Sequence, residues 1–234
     1  MVRRIRELIQ LVYQEQNDKR KAEVAALQSQ INPHFLYNTL ESINSLARKN
    51  KQPEISKMIV LLGKLLRMSI STFDDLVTID KELEYVRYYL EIHKFRQRRP
   101  IDYAIELDEE VRQLYTVKWI LQPIIENAII HGLDPKQHGG SIHITCWLDE
   151  EDVYIRIADK GVGVTSEQLS IMRYQLQHQA ENLSKHQKKV GLYNVQSRIR
   201  LHFGENYGIH LDSICNEGMT VTVKIPRRVT HESL

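Results

Sequence analysis

The sequence predicts an α+β fold in which a helical N-terminal part precedes a layered sandwich of strands and helices. Between Val2 and Asn50 there is no glycine, and apolar residues recur at helical intervals. After Pro100 apolar and polar residues alternate instead, as strands with one buried face require. Helical spacing then returns between the alternating stretches, so the second part mixes helices and strands.

The composition is that of a folded protein with no general affinity for polyanions. The chain has 234 residues, of which 42% are hydrophobic and 26% charged, and this excludes a disordered polymer. The net charge of +2 gives no field that attracts nucleic acid or an anionic membrane, so no nucleic-acid partner is expected. Cys146 and Cys215 form no Cys-x-x-Cys pair, which is typical of a reducing compartment. No apolar run reaches the ~20 residues that span a bilayer, so we expect this chain not to cross one.

The first hundred residues predict three helices. The first covers residues 2–50, and its fully polar stretch at 15–21 is typical of a stalk rather than of a packed core helix. Pro53 predicts the first turn of a second helix, whose broad apolar face can pair with the first. The third covers about residues 80–98 and stops before a proline.

The second part predicts strands and helices in alternation. In chain order they are a strand at 101–107, a helix from Trp119 to His131 that ends at Gly132, an antiparallel hairpin with strands at 142–148 and 153–157, a helix at 192–203 closed by Gly204, and strands at 209–214 and 220–225. Thr165 and Gln168 form a capping-box pattern, which predicts a short helix in the polar segment 165–189.

Two stretches place polar residues one helical turn apart. Residues 32–38 read Asn-Pro-His-Phe-Leu-Tyr-Asn and put His34 and Asn38 on one helix face. In the apolar helix 121–132, Asn127 and His131 share a face, and an amide oxygen is a ligand that Mg²⁺ accepts. Each has a structural alternative when taken alone. His34 also fits an ordinary packed histidine, and Asn127 fits a cap or a hydrogen-bonded core amide.

Two glycine motifs suit a nucleotide. Residues 159–163 read Asp-Lys-Gly-Val-Gly, where glycines let the backbone approach a ligand and the Asp159 carboxylate can accept the exocyclic amine of adenine. Guanine has an oxygen at that position. Gly191 precedes a helix whose free N–H groups suit a polyphosphate. An isolated motif of the first kind is more often a turn, and the second alone means little.

The order of these motifs resembles the catalytic core of a sensor histidine kinase of the LytS/YesM class, with a GHKL-type ATP-binding domain. The class hallmarks are an Asn-Pro-His-Phe-Leu-Tyr-Asn box, a Gln-Pro-x-x-Glu-Asn-Ala box and a Gly-x-x-Asn-x-x-x-Arg-(Ile/Leu) stretch, here at residues 32–38, 122–128 and 191–199. The resemblance covers the chain from about residue 20 to Pro226. It implies a stalk at 1–22, dimerisation and histidine phosphotransfer helices at 23–98, and a GHKL-type ATP-binding sandwich at 99–234.

The resemblance also implies ATP and Mg²⁺ as cofactors and assigns their site. His34 would be the phosphoacceptor, and Asn38 is a hypothetical phosphatase residue. Asn127 would hold Mg²⁺, and Asp159 would recognise adenine. The segment 165–189 occupies the position of the family's mobile ATP lid. The other nucleotide-binding residues would be His131, Gly161, Gly163, Gly191, Leu192, Asn194 and Thr220.

The implied partners are a second copy of the chain, through a four-helix bundle, and the receiver domain of a response regulator. Family members of the YesM type carry membrane helices and an extracellular sensor ahead of the stalk. We therefore expect a cytoplasmic fragment of a membrane sensor, which contacts the membrane only through upstream segments.

Some residues depart from the family pattern. Phe35 stands where many histidine kinases have an acid, so a helper base must come from elsewhere. Lys160 replaces a frequent Asn, while Ile130 and Met219 replace a frequent Lys and Thr and are expected to weaken nucleotide affinity. The departures at Phe35, Ile130 and Met219 keep one alternative open, a GHKL-fold nucleotide-binding scaffold without histidine kinase activity, and a GHKL ATPase is a second alternative. Pro123 argues against the ATPase, since such enzymes carry a water-activating acid there.

Overall fold

The computed structural model describes residues 33–70, 75–96, 101–136, 139–178 and 191–230. Its contacts divide the chain into two compact units, Met1–Thr72 and Phe73–Leu234. The predicted stalk, the first residue of the histidine box and the later part of the predicted lid lie outside the described residues. None of the helices in the described ranges combines the length and the apolar content that crossing a bilayer requires.

The first unit contains a pair of helices, α1 (Pro33–Lys49) and α2 (Pro53–Ile70). Helix α2 begins at Pro53, whose fixed φ and missing N–H suit the first helical turn. The helices contact each other, and Ser56 Oγ donates a hydrogen bond of 2.6 Å to Asn44 Oδ1 across the pair. The helix predicted from Pro53 is confirmed, and the described part of the first helix ends where the sequence predicts.

The second unit is a five-stranded mixed sheet packed against helices, with a separate two-stranded sheet. Its elements are β1 (Leu76–Thr78), α3 (Ile79–Arg96), β2 (Ile101–Leu107), a 3₁₀ turn (Glu109–Val111), β3 (Tyr115–Val117), α4 (Leu121–Asn127), a π-helical segment (Ala128–Leu133), β4 (Gly140–Asp149), β5 (Asp152–Asp159), α5 (Ser166–His178), α6 (Gly191–Phe203), β6 (Gly208–Ile214) and β7 (Gly218–Pro226). The strand order in the five-stranded sheet is β2-β4-β5-β7-β6, with β2 parallel to β4 and the other neighbours antiparallel.

The predicted hairpin is formed by β4 and β5. Cys146 lies opposite Ile155 and Ile144 opposite Ile157, and all four side chains are buried in the core. Because alternate residues of a strand point to opposite faces, the alternation seen in the sequence buries one face of the hairpin. The predicted α+β class is confirmed.

Helix α3 packs within the second unit, although the sequence analysis groups it with the preceding helices. Leu83, Val86 and Leu90 are buried in the core, and the helix contacts α4 and β2. An amphipathic pattern identifies the face that is buried and leaves the neighbour that covers it undetermined. The functional boundaries at 22/23 and 98/99 remain predictions.

The helix predicted from Trp119 to Gly132 differs from the observed one at both ends. Trp119 has a φ of 62°, a left-handed conformation, so α4 begins only at Leu121. After Asn127 the helix changes to π spacing and continues through Leu133. Such π segments occur frequently at functional sites. The pairing of β1 with β3 was not predicted either, because three residues are too few to show alternation.

Two predicted helix ends are confirmed. Thr165 N–H donates to Gln168 Oε1 (3.1 Å) and Gln168 N–H donates to Thr165 Oγ1 (3.2 Å), which is the capping box in both directions. The helix that it starts, α5, has 13 residues. Helix α6 ends at Phe203, where Gly204 has a φ of 95°.

Candidate functional site

A cavity of about 360 Å³ lies in the second unit between α4 with its π segment, α5, the start of α6 and the ends of β5 and β7. Its volume is within the usual range of small-molecule sites. Residues from separate sequence motifs come together here. The predicted site residues on its lining are Asn127, His131, Asp159, Gly163, Gly191 and Leu192.

Asp159 is the buried carboxyl group of the cavity. Its Oδ1 accepts the N–H of Gly161 at 2.8 Å and that of Met219 at 3.4 Å. Burial raises the pKa of Asp159, and these two hydrogen bonds and the charge of Lys136 act in the opposite direction. No hydrogen bond from the described residues reaches Oδ2, so this oxygen is left for a ligand in the cavity.

Two glycines let the backbone pack closely around this carboxyl. A Cβ at Gly132 would lie 2.8 Å from Oδ1 of Asp159, and a Cβ at Gly161 would lie 2.4 Å from the carbonyl carbon of Gly132. Both positions therefore exclude a side chain. Gly161 is absent from the cavity lining, so its close packing supports the site indirectly. Gly163 lines the cavity and has a φ of 59°.

Asn127 and Gly191 lie against each other in the cavity lining. A Cβ at Gly191 would lie 3.2 Å from the side-chain nitrogen of Asn127, so the start of α6 passes directly over the amide. Among the described residues no group of three or more His, Cys, Asp or Glu side chains can hold a metal ion. A Mg²⁺ at Asn127 would take most of its oxygen ligands from phosphates and water, which is its common mode of binding. A single amide oxygen, that of Asn127, therefore fits a Mg²⁺ ion that is bound mainly by the nucleotide.

Besides Gly161, two predicted nucleotide-binding residues are absent from the cavity lining. Asn194 is exposed and absent from the lining. Thr220 follows Met219 and precedes Val221 on β7, and these two neighbours line the cavity. Alternate strand residues point to opposite faces, so Thr220 faces away from the cavity.

An apolar cover over the cavity was missed by the sequence analysis. Met172 and Leu176 of α5 line the cavity, although no motif includes them. Tyr193 of α6 also lines it, and its hydroxyl donates to Gln175 Oε1 of α5 at 2.6 Å. Burial raises the pKa of Tyr193. The helical spacing of Met172 and Leu176 was a detectable signal, but it is equally typical of any packed helix.

His34 lies on α1 of the first unit with its side chain exposed. The side-chain nitrogen of Asn38 lies 3.2 Å from Nδ1 of His34. The side chain of Phe35, which follows His34, is 65% exposed. The imidazole is therefore accessible to a reactant, with a polar neighbour one turn away and no adjacent acid in the sequence.

Two family models match the chain. The model described as histidine kinase matches residues 22–101, and the model described as histidine kinase-, DNA gyrase B- and HSP90-like ATPase matches residues 115–229. The second match supports ATP use.

Named relatives agree with these matches. The sensor histidine kinase YesM of Bacillus subtilis is 39% identical over 228 residues, which are 97% of this chain and 37% of YesM. The sensor protein kinase HptS of Staphylococcus aureus is 30% identical over 94% of this chain and 41% of HptS. The chain thus spans about two fifths of the length of the curated relatives it matches. A solved histidine kinase domain from Erythrobacter litoralis superimposes with a TM-score of 0.48 at 12% identity, covering 91% of this chain and 94% of that one, which is too loose to support an assignment.

Proposed function

The chain belongs to the histidine kinase family as a sensor histidine kinase of the YesM class, and on that premise we propose that it acts as the kinase core of a two-component system. ATP binds in the cavity of the second unit, its γ-phosphoryl group passes to His34, and from there to an aspartate of a response regulator. One observation carries the proposal. Asn127, Asp159 and Gly191, from three separate motifs, line one cavity.

Recognition of adenine follows from the carboxyl group of Asp159. Its Oδ1 is held by two backbone N–H groups, which fixes the orientation of the side chain. The other oxygen is available to accept the exocyclic amine of adenine, whereas guanine would present an oxygen to it. The apolar lining contributed by Met172 and Leu176 suits the faces of a purine ring.

The transfer step needs alignment and charge neutralisation more than an elaborate set of catalytic groups. A nitrogen of neutral His34 forms a bond to the γ-phosphorus while the bond to the β,γ-bridging oxygen breaks. ADP leaves with that electron pair, and the proton on the other ring nitrogen is released to water. Mg²⁺, held in part by Asn127, would neutralise phosphate charge. The N–H groups at the start of α6 add positive potential near Gly191.

The proposed partners follow from the family and from the first unit. Large apolar side chains on α1 and α2 are exposed, which is typical of a protein interface. A second copy of the chain would cover them and form a four-helix bundle. These side chains are Phe35, Ile43, Leu46, Ile55, Val60, Leu62 and Ile70. Because the named relatives are sensor proteins, we place this chain on the cytoplasmic side of a membrane sensor. We assign receiver-domain dephosphorylation to Asn38, which lies one helical turn from His34.

The test is incubation with γ-labelled ATP and Mg²⁺, followed by detection of protein-bound label that is acid-labile and base-stable. We expect His34→Gln to abolish the label and to leave ATP binding intact. His143→Gln, an exposed histidine on β4, is the matched control and should label as the wild type does. Asn127→Ala should lower both labelling and Mg²⁺-dependent ATP binding.

The alternative is a nucleotide-binding scaffold, and the comparisons with sensor kinases do not favour it. The same experiment separates the two functions. ATP binding without labelled His34 would overturn the kinase proposal and support the scaffold. Absence of ATP binding would overturn both.

A further inference from the structure

Glu82 is a buried carboxyl group that the proposed reaction does not use. It lies in α3, and only 4% of the residue is exposed. Burial of an acid is unfavourable unless polar groups surround it, so the groups that contact Glu82 indicate what it does. Burial raises the pKa of Glu82, while backbone N–H groups at Trp119, Ile120 and Leu121 and the charge of Arg198 act in the opposite direction.

Both oxygens of Glu82 contact one backbone turn. The N–H of Trp119 donates to Oε1 at 2.7 Å, and the N–H of Leu121 donates to Oε2 at 3.3 Å. This turn leads directly into α4, whose first residue is Leu121. Glu82 thus satisfies N–H groups at the helix start that have no partner within the helix.

The same turn is held from a second side. Arg198 of α6 donates to the carbonyl oxygen of Trp119 at 3.4 Å. Trp119 itself has a φ of 62°, a conformation that a residue with a large side chain rarely adopts. Contacts from outside the turn are needed to keep such a conformation populated. Glu82 provides the shortest of them.

We propose that Glu82 is a positioning residue of the nucleotide site, which fixes the start of α4 and thereby the place of Asn127 at its other end. This inference rests on the proposed function, because Asn127 acts there on the phosphates and Mg²⁺. Asn127 is the last of the seven residues of α4, about 9 Å along the helix axis from Leu121. A short helix transmits a shift of its first turn to its last residue. Gly191 packs against the Asn127 amide and leaves little room for adjustment.

The test is the affinity for ATP, measured by calorimetry with and without Mg²⁺, in Glu82→Gln and in a matched control. Glutamine keeps the shape but replaces one acceptor oxygen by a donor, so one N–H of the turn loses its partner. We expect Mg²⁺-dependent ATP binding to weaken by about tenfold, as for the loss of one charged hydrogen bond. The control is Glu84→Gln, an exposed carboxyl on the same helix, which should change affinity by less than about twofold.

A double-mutant cycle with Asn127→Ala distinguishes positioning from a general loss of stability. If Glu82 acts through Asn127, Glu82→Gln should cost almost nothing further once the Asn127 amide is removed. Glu82→Asp, which keeps the charge but is one methylene shorter, should give an intermediate affinity and provides a second variant if Glu82→Gln folds poorly. Thermal melting of every variant shows whether the protein is folded at the assay temperature.

Each outcome has one meaning. Glu82→Gln with wild-type affinity, or with the same loss in the Asn127→Ala background, would overturn the positioning role while leaving the proposed function standing. If neither the wild type nor Glu84→Gln binds ATP, the proposed function fails and the positioning role fails with it.

Discussion

The side-chain nitrogen of Asn38 lies 3.2 Å from Nδ1 of His34, one helical turn away on α1. The same amide nitrogen lies 3.5 Å from Nε2, so it approaches both nitrogens of the imidazole ring. Since Phe35 occupies the position after His34, the polar neighbour of the ring is an amide rather than an acid. An amide cannot take up a proton near neutral pH, but it can hold a water molecule or a phosphoryl oxygen by hydrogen bonds.

The first prediction concerns Asn38→Ala. If Asn38 positions water for dephosphorylation of a receiver domain, its removal should slow that reaction by at least about tenfold. The measurement is loss of label from a phosphorylated receiver domain after addition of the chain with ADP. Ser42→Ala, one turn further along α1, is the control and should retain the wild-type rate. A full dephosphorylation rate in Asn38→Ala would show that Asn38 has only a structural role.

The second prediction is a pH dependence of ATP binding through Asp159. Burial raises the pKa of this carboxyl above its ordinary value of 3.8. The ionised form accepts the adenine amine more strongly than the protonated form. ATP affinity should therefore fall as the pH is lowered toward the raised pKa. Calorimetric titrations at a series of decreasing pH values would measure this fall.

Protein stability should change in the opposite direction. The folded state holds the Asp159 proton more tightly than the unfolded chain, so this group lowers the free energy of unfolding as the pH rises from 3.8 through the raised pKa. Asp159→Asn should remove the pH dependence of ATP affinity and that of the free energy of unfolding. It should also weaken ATP binding by roughly tenfold to a hundredfold. An unchanged pH profile in Asp159→Asn would show that another group titrates.

That Asp159 and Asn127 lie in one cavity was predictable, because their motifs have fixed spacing and a stated chemical need. Strand register decides whether Met219 or Thr220 faces the cavity. A motif assigned by resemblance does not give the register. The side chains that cover the cavity from α5 belong to an ordinary amphipathic helix, so the sequence shows that they are buried but not that they face a ligand.

The same limit applies to the turn before α4. Its left-handed residue, Trp119, is not a glycine or an asparagine, so no sequence signal marks it. What stabilises that conformation is Glu82, which is 37 residues earlier in the chain. Contacts between positions so far apart depend on the tertiary fold and cannot be read from local patterns.

The third prediction compares two glycine substitutions. A Cβ at Gly161 would lie 2.4 Å from backbone atoms of Gly132, which cannot move without shifting the loop under Asp159. We expect Gly161→Ala to lower the free energy of unfolding by about 2 kcal/mol and to weaken ATP binding. At Gly63 of α2 the nearest atom is 3.9 Å away, so Gly63→Ala should raise the stability of the first unit by about 0.5 kcal/mol. Denaturant unfolding would measure both, and equal stability of the two variants would contradict the packing argument.

The fourth prediction concerns the hydrogen bond from Tyr193 to Gln175, which joins α6 to the helix covering the cavity. Tyr193→Phe keeps the ring in the cavity wall and removes only this bond, which is worth about 1 kcal/mol. If α5 opens for a nucleotide to leave, loss of this bond should make dissociation about fivefold faster while association changes little. Stopped-flow displacement of a fluorescent ATP analogue would measure both rates. Tyr174→Phe, at an exposed position of α5, is the control. Equal dissociation rates in the two variants would show that the bond does not hold the cover in place.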